Sequence, residues 1–163
     1  MIADKNLKIH DMMQQYEAGD RDFQGVCLRQ ANLQQTCLNH ADLSEADLSS
    51  ADCTGANLIG TILIRANLTN ADLQGADLRS ANLRDANFIG ADLTGAKLAR
   101  ANLTRADLRG AILTGADLVG TILDGAELSG AVLDGANIDE AELHHANSQQ
   151  GIPHAWVSWS GSR

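Results

Sequence analysis

The chain of 163 residues carries a formal net charge of −9 at pH 7, and only 3% of its residues are aromatic. So few rings argue against an ordinary globular core, and the negative charge disfavours direct binding to the phosphates of nucleic acids. No apolar stretch reaches membrane-spanning length and the N-terminus lacks a signal-peptide core. We therefore expect a cytoplasmic protein that does not associate with membranes.

The first 20 residues predict an amphipathic helix. Apolar side chains recur there at near-helical spacing, and Gly19 follows as a typical helix stop signal. The apolar residues are Leu7, Ile9, Met12, Met13 and Tyr16. We predict a helix from about Lys5 to Ala18 that covers one end of the domain that follows.

From Phe23 to Leu143 the chain repeats a five-residue unit 25 times without insertion or deletion. The unit reads A-(D/N)-L-x-x, as in Ala41-Asp42-Leu43. Leu occupies the central position in 21 units, and Ala lies two residues before the centre in 20 units. Repetition of this regularity indicates a solenoid, in which each repeat packs mainly on its neighbours.

A period of five fits neither an ordinary helix nor a flat strand. Steps of five would scatter the leucines around a helix of 3.6 residues per turn and would alternate their faces on a strand. Both problems disappear if each unit is a short strand followed by a corner, with Ala and Leu pointing inward. Four corners then close a coil of 20 residues, and the 25 units make about six coils, stacked about 4.8 Å apart.

The last residue of the unit indicates how the corners are made. Gly takes this position in 12 of the 25 units, and glycine relieves the positive φ that a type II turn requires at its third residue. We expect the corners that carry Glu45, Arg65, Asp85 or Arg105 at this position to use a different turn.

The A-(D/N)-L-x-x array resembles the pentapeptide repeat family, and the segment from Tyr16 to Phe23 resembles the corresponding segment of cyanobacterial members. The resemblance implies an all-β solenoid, a right-handed quadrilateral β-helix with four pentapeptides per coil and an N-terminal capping α-helix. We accordingly divide the chain into a helical cap (1–20), a pentapeptide-repeat β-helix (21–147) and a C-terminal segment (148–163).

The C-terminal segment interrupts the repeat and contains Pro153 and both tryptophans, Trp156 and Trp159. One interpretation is a second cap with a tryptophan packed on the last coil. The other is a dimer surface, because exposed tryptophan is a typical interface anchor. We therefore expect a monomer or an end-to-end homodimer that associates through this segment.

A search for reactive residues is mostly negative. The sequence has no phosphate-binding loop, no CxxC motif and no nucleophile elbow. The pair His144 and His145, with Glu142 and His154 nearby, has the residue types of a metal site. Adjacent histidines on a turn splay apart, so we interpret the cluster as a solvated corner. We predict no catalytic, cofactor-binding or metal-binding residues and no enzymatic activity.

The three cysteines do not form the even set of a disulfide scaffold. Cys53 occupies a central position and should point inward. Cys27 and Cys37 occupy outward positions two units apart, which places them on opposite faces and leaves them unpaired.

Three aspartates should stack in adjacent coils, because Asp52, Asp72 and Asp92 are spaced by 20 residues. Ile112 and Val132 continue the same line as an apolar strip. We interpret these aspartates as the structural residue of the unit, since Asp and Asn side chains bond neighbouring backbone. A carboxylate ladder that holds a cation or forms an acidic surface is the alternative.

Acidic residues concentrate in the C-terminal third of the repeat. Between Ala111 and His145 there are seven acidic residues and no basic one, whereas Thr61 to Gly110 holds seven basic and five acidic residues. The acidic third is the predicted interaction surface, and it comprises Asp117, Asp124, Glu127, Asp134, Asp139, Glu140 and Glu142.

These features predict a non-enzymatic scaffold that binds another protein of unknown identity. The family resemblance implies an alternative, because some pentapeptide repeat proteins mimic DNA and inhibit DNA gyrase or protect it from quinolones. The net charge of −9 favours mimicry. The basic middle of the repeat disfavours it, since a duplex mimic should carry acidic groups along its whole length.

Overall fold

The computed structural model describes residues 9–139, 143, 145 and 146. Its first element is the helix α1 (Ile9–Glu17), and the coils of a β-solenoid follow from Asp22 to Asn137. The predicted helix is confirmed from Ile9 and ends one residue before Ala18, while its predicted start at Lys5 lies outside the described residues. The boundary predicted at residue 147 also lies outside them.

Parallel β-bridges join successive coils with a constant register of 20 residues. Each five-residue unit contributes one bridging residue, so four units complete a coil. Column 1 contains Asp22, Asp42, Ile62, Asn82, Asn102 and Ile122; column 2 contains Cys27, Asp47, Asn67, Asn87, Asp107 and Glu127; column 3 contains Asn32, Asp52, Asp72, Asp92, Ile112 and Val132; column 4 contains Cys37, Asn57, Asp77, Lys97, Asp117 and Asn137. Six residues per column confirm the predicted six coils.

Backbone hydrogen bonds hold each unit to the coils on both sides. The N–H of Asp52 donates to the carbonyl of Ala31 at 2.9 Å, and the N–H of Leu33 donates to the carbonyl of Asp52 at 2.7 Å. The same pattern recurs along all four columns. A slip of one residue would turn every Ala and Leu outward, so the hydrophobic pattern fixes this register.

The interior is filled by the Ala and Leu ladders that the repeat predicts. Leu58 is 4% exposed and most other central leucines are more deeply buried. Thr61 substitutes for Ala in the core, and its hydroxyl donates to the carbonyl of Leu58 at 2.7 Å, so the buried polar group is satisfied. Cys53 is buried, whereas Cys27 and Cys37 are exposed in columns 2 and 4. All three placements confirm the prediction.

The prediction that charged corners use a different turn from glycine corners is wrong. The last residue of every unit from Gly25 to Gly135 has a positive φ, including 11 residues that are not glycine. Glu45, Arg65 and Asp85 have φ values of 59°, 56° and 58°, so the charged corners share the geometry of the glycine corners. The hydrogen bonds to both neighbouring coils impose this backbone conformation and outweigh the local cost of a side chain at positive φ.

Helix α1 covers the first coil. Met12 is fully buried, and Ile9, Met13 and Tyr16 pack against the same core. Arg21 replaces the usual Ala of the unit, and its Nη1 donates to the carbonyl of Tyr16 at 2.8 Å. Its guanidinium also lies 3.9 Å from the centroid of the Tyr16 ring. Arg21 therefore satisfies a carbonyl at the helix C-terminus and joins the helix to the solenoid.

Candidate interaction surface

The aspartates and asparagines of the columns have a structural task that does not depend on charge. Oδ1 of Asp72 accepts a hydrogen bond from the N–H of Gln74 at 3.0 Å, and Oδ1 of Asn102 accepts one from the N–H of Thr104 at 3.0 Å. Both residue types thus satisfy the first N–H of the corner. Where the chain uses Asp rather than Asn, the negative charge is available for another purpose.

One side of the solenoid carries no cationic residue. We define the acidic side as column 3 with its inward and corner residues, which are the units 31–35, 51–55, 71–75, 91–95, 111–115 and 131–135. These units contain four aspartates and no Lys, Arg or His. Every Lys and Arg between residues 21 and 139 belongs to the other three columns.

Neutral donors hold the aspartates of the acidic side. Asp52 accepts hydrogen bonds from the hydroxyl of Thr54 at 2.7 Å and from the amide of Gln34. Oδ2 of Asp92 accepts one from the amide of Gln74 at 2.9 Å. The bonds from Thr54, then that from Gln34, lower the pKa of Asp52. The carboxylate is therefore kept ionised and oriented without a neutralising cation.

Ion pairs neutralise carboxylates on the other sides. Arg105 holds Asp85 with two bonds of 2.6 and 2.7 Å, and the bond from Arg105 lowers the pKa of Asp85. Among residues 9–139, 143, 145 and 146, the Arg–carboxylate pairs are Arg29–Asp47, Arg65–Glu45, Arg79–Asp77, Arg84–Asp85, Arg105–Asp85 and Arg109–Asp107. None of them involves Asp52, Asp72 or Asp92.

Most corners of the acidic side lack a side chain, and the C-terminal end of its column is apolar. Glycines form most of its corners, which are Gly55, Gly75, Gly95, Gly115 and Gly135 along one edge and Gly90, Gly110 and Gly130 along the other. After Asp92 the column continues with Ile112, which is 38% exposed, and half-buried Val132. Small corners give a partner close access to the backbone and to the column side chains.

The structure distributes the acidic residues of the predicted interaction surface over different columns. Asp117 belongs to column 4 and Glu127 to column 2, while Asp124, Asp134 and Asp139 lie at corners that follow columns 1, 3 and 4. They therefore face all four sides, and only Asp134 joins the acidic side. Glu140 and Glu142 lie outside the described residues.

The period of 20 in the sequence predicts the stack of Asp52, Asp72 and Asp92, for which an acidic surface is one of the two interpretations. The seven acids of the predicted C-terminal surface are neighbours in the sequence instead, and the chain turns a corner every five residues. Residues 20 apart stack directly, as the bridge from Asp72 to Asp92 demonstrates. Sorting the units by this period separates the cation-free column from the other three.

The described residues contain no group of three or more His, Cys, Asp or Glu placed to hold a metal ion. Glu142, His144 and His154 of the predicted solvated cluster lie outside that part of the chain. Burial, and then the charges of Asp52 and Asp72, raise the pKa of the Cys53 thiol to about 12. This thiol therefore stays protonated and is a poor nucleophile near neutral pH.

The interior offers no room for a substrate around this thiol. A cavity of about 10 Å³ lies among Leu43, Cys53 and Leu63, which is about the space of one water molecule. In the part of the chain that the structure describes, no helix is both long and apolar enough to cross a bilayer.

Comparison with known families identifies the repeat. The model of the family "Pentapeptide repeats" matches in eight copies over residues 27–63, 61–100, 86–125 and 111–147. The chain belongs to the pentapeptide repeat family. This confirms the resemblance that the A-(D/N)-L-x-x array indicates.

Solved structures of cyanobacterial pentapeptide repeat proteins resemble the chain along most of its length. Rfr23 of Cyanothece 51142 is 31% identical with a TM-score of 0.70, over 81% of this chain and all (100%) of that one. HetL of Nostoc sp. strain PCC 7120, described as involved in heterocyst differentiation regulation, is 34% identical with a TM-score of 0.56, over 80% of this chain and 70% of that one.

A third pentapeptide repeat protein, alr5209 of Nostoc PCC 7120, is 32% identical with a TM-score of 0.50, over 96% of this chain and 99% of that one. Comparison with curated proteins finds no match. The family and the structural relatives do not indicate a catalytic family.

Proposed function

We propose that this pentapeptide repeat protein is a non-enzymatic scaffold, wound as a right-handed quadrilateral β-helix, that binds a basic surface of a protein partner. The observation that carries the proposal is the acidic side. Asp52, Asp72 and Asp92 accept hydrogen bonds from neutral donors and form no ion pair with Lys or Arg within the described residues. An apolar strip follows them in the same column. Arginines pair with carboxylates on the other three sides, which leaves those sides less able to attract a cationic partner.

The dimensions of the acidic side suit a protein better than a small molecule. Six coils at about 4.8 Å give a side roughly 30 Å long, which is the scale of a protein interface rather than of a pocket. Carboxylates attract Lys and Arg and would steer such a partner to this side. They repel nucleic-acid phosphates, so we expect no direct binding of DNA or RNA.

Regulation by binding is compatible with what is described for a relative. HetL is involved in regulating heterocyst differentiation, and a regulator without a catalytic site acts through a partner. We therefore propose a regulatory or assembly role in the cytoplasm, with the partner still to be identified.

A DNA-mimicking modulator of DNA gyrase is the second candidate, and the net charge of −9 favours it. A duplex presents negative charge on both strands around its circumference. Here the stack of three successive aspartates lies on one side. Arg79, Arg105 and Arg109 neutralise carboxylates on the other sides. The binding scaffold is therefore the better-supported proposal.

Affinity capture with the full chain as bait tests the proposal, using two matched triple variants. The first changes Asp52, Asp72 and Asp92 to Asn, which keeps the corner hydrogen bond as Asn102 does. The second, Asp117→Asn, Asp124→Asn and Glu127→Gln, removes the same charge from the predicted C-terminal surface. We expect the first variant to lose at least about tenfold in affinity for a captured partner and the second to retain it.

Other outcomes separate the alternatives. Loss in the second variant alone would place binding on the C-terminal acids. Capture of no protein by the wild type would contradict the scaffold proposal. Inhibition of gyrase supercoiling by the wild type, lost in either triple variant, would favour DNA mimicry instead.

A further inference from the structure

The residues of column 1 read the same in both directions over four successive coils. They are Ile62, Asn82, Asn102 and Ile122, bridged in that order. Ile122 is 46% exposed, and the other three are half-buried. Such a stack is self-complementary. A two-fold axis that crosses it between Asn82 and Asn102 places isoleucine opposite isoleucine and asparagine opposite asparagine on a second, antiparallel copy.

The corner that precedes column 1 has the same symmetry. It carries Ile59 beside the first isoleucine of the stack and Val119 beside the last, and a glycine follows each of them, Gly60 and Gly120. The same axis places Ile59 opposite Val119 and glycine opposite glycine. Apolar side chains of one copy therefore meet apolar side chains of the other, with no side chain on the residue that follows them.

The charged residues along this stack meet no like charge across the axis. Asp85 lies opposite Arg105, the residue that it binds within its own chain. The least favourable match places Asp124 opposite Ile64, and the carboxylate of Asp124 lies 3.1 Å from Nδ1 of His145. Electrostatic repulsion therefore does not oppose the pairing.

The amides of Asn82 and Asn102 provide polar contacts between the copies. Their Oδ1 atoms accept bonds from the N–H groups of Arg84 at 3.4 Å and Thr104 at 3.0 Å. Their Nδ2 groups donate to no protein atom among the residues that the structure describes. Each Nδ2 can therefore donate to the facing Oδ1, because an amide oxygen has two lone pairs.

Columns 2 and 3 do not have this symmetry. An axis midway along column 3 would place Asp72 opposite Asp92, and one midway along column 2 would place Asp47 opposite Asp107. Like charges placed opposite one another disfavour association. Column 1 is therefore better suited than either of them to contact a second copy.

We propose that two copies of the chain associate side by side and antiparallel through column 1, about a two-fold axis between Asn82 and Asn102. Four coils at about 4.8 Å span roughly 20 Å, which is short for a protein interface, so we expect a weak dimer in exchange with the monomer. Column 3 lies on the opposite side of each coil. The dimer therefore leaves both acidic sides exposed and does not depend on the proposed binding of a basic partner.

Sedimentation equilibrium of the full chain from about 10 µM to about 1 mM tests the proposal, and we expect a reversible dimer. The variant Asn82→Asp/Asn102→Asp places carboxylates opposite one another on the two copies and should weaken the dimer at least about tenfold. The matched control, Asn67→Asp/Asn87→Asp, stacks two carboxylates in column 2 in the same way. It should dimerise like the wild type.

Two further variants test the orientation and the apolar contacts. Asn82→Asp/Asn102→Lys places unlike charges opposite one another in the antiparallel dimer and should retain it, whereas a parallel pair would oppose like charges and dissociate. Lys already occupies a column position at Lys97. Ile62→Asn/Ile122→Asn should weaken the dimer, because it removes the apolar ends of the stack. Circular dichroism checks that each variant remains folded.

Three results would overturn the proposal. One is a wild type that remains monomeric up to about 1 mM. Equal association of Asn82→Asp/Asn102→Asp and the column 2 control would place the contact elsewhere on the chain. Loss of the dimer in Asn82→Asp/Asn102→Lys would exclude the antiparallel arrangement. The triple Asn variant of Asp52, Asp72 and Asp92 should dimerise normally, which separates this test from that of partner binding.

Discussion

The corner residues show how far tertiary contacts override local preference. Asn70 and Arg100 have φ values of 55° and 61°, close to the 64° of Gly95, although an L side chain in this region costs roughly 1–2 kcal/mol. Glycine has a second role at some corners. A Cβ on Gly60 would lie 2.6 Å from Nδ1 of His40 in the preceding coil, whereas one on Gly95 would meet nothing within 4 Å.

Substitutions at Gly60 and Gly95 distinguish the cost of a positive φ from the cost of a steric clash. We expect Gly95→Ala to lower the free energy of unfolding by about 1 kcal/mol, the cost of positive φ alone. Gly60→Ala should cost more, because the His40 ring must also move, and adding His40→Ala should return the cost to about that of Gly95→Ala. Urea titrations of the three variants measure this, and equal costs for both single variants would exclude the crowding.

At the scale of the secondary-structure element, helix α1 closes the N-terminal end of the hydrophobic core. A solenoid end exposes both apolar core and unpaired strand edge, and α1 covers them with one fully buried side chain, Met12. Tyr16 attaches the helix to the corner of column 4, since its hydroxyl donates to the carbonyl of Asn39 at 3.1 Å. Arg21 joins the two elements at their connection.

Met12 is therefore the position at which the cap is most sensitive. We expect Met12→Ala to lower the free energy of unfolding by about 2–4 kcal/mol, because it removes a fully buried side chain and leaves a cavity that neighbouring side chains do not fill. Met13→Ala, at a half-buried position of the same helix, is the control and should cost clearly less. Chemical denaturation measures both, and equal effects would mean that α1 does not seal the coil through Met12.

At the scale of the whole molecule, the distribution of charge links stability to pH. Hydrogen bonds from Arg79, Arg105 and Arg109 lower the pKa values of Asp77, Asp85 and Asp107, respectively. A carboxyl group with a lowered pKa in the folded state stabilises the protein above the ordinary Asp pKa of about 3.9. That stability is lost as the pH falls through the lowered values, because protonation then favours the unfolded chain.

Urea midpoints measured from about pH 7 to about pH 3 should stay level and then fall below about pH 4. Asp85→Asn should make that fall smaller, since it removes one contributing carboxylate, and Asn is compatible with positive φ at this corner position, as at Asn70. Asp42→Asn is the control, because Asp42 accepts bonds from Gln24 and Ser44 but has no Arg partner among the described residues. An equal decrease of the urea midpoint at low pH in the wild type, Asp85→Asn and Asp42→Asn would argue against the Arg–Asp pairs as its cause.

Much of the architecture was predictable because the repeat leaves few ways to bury its apolar residues. The spacing of Ala and Leu predicted the coil of 20 residues, the inward position of Cys53 and the separation of Cys27 from Cys37. The candidate surface was harder to predict. Grouping acidic residues along the chain joined Asp117 to Glu127, which the coil places in different columns.

The sequence by itself determined the coil and its register, since only one inward pair per unit can be buried and a shifted register would expose it. The tertiary structure alone decided the conformation at corners such as Arg65, where hydrogen bonds from both neighbouring coils outweigh the residue's own preference. It also decided which carboxylate each arginine binds. Arg105 reaches Asp85 in the neighbouring coil, whereas Arg79 turns back to Asp77 in its own unit, because an ion pair forms between the groups that the folded backbone brings within reach.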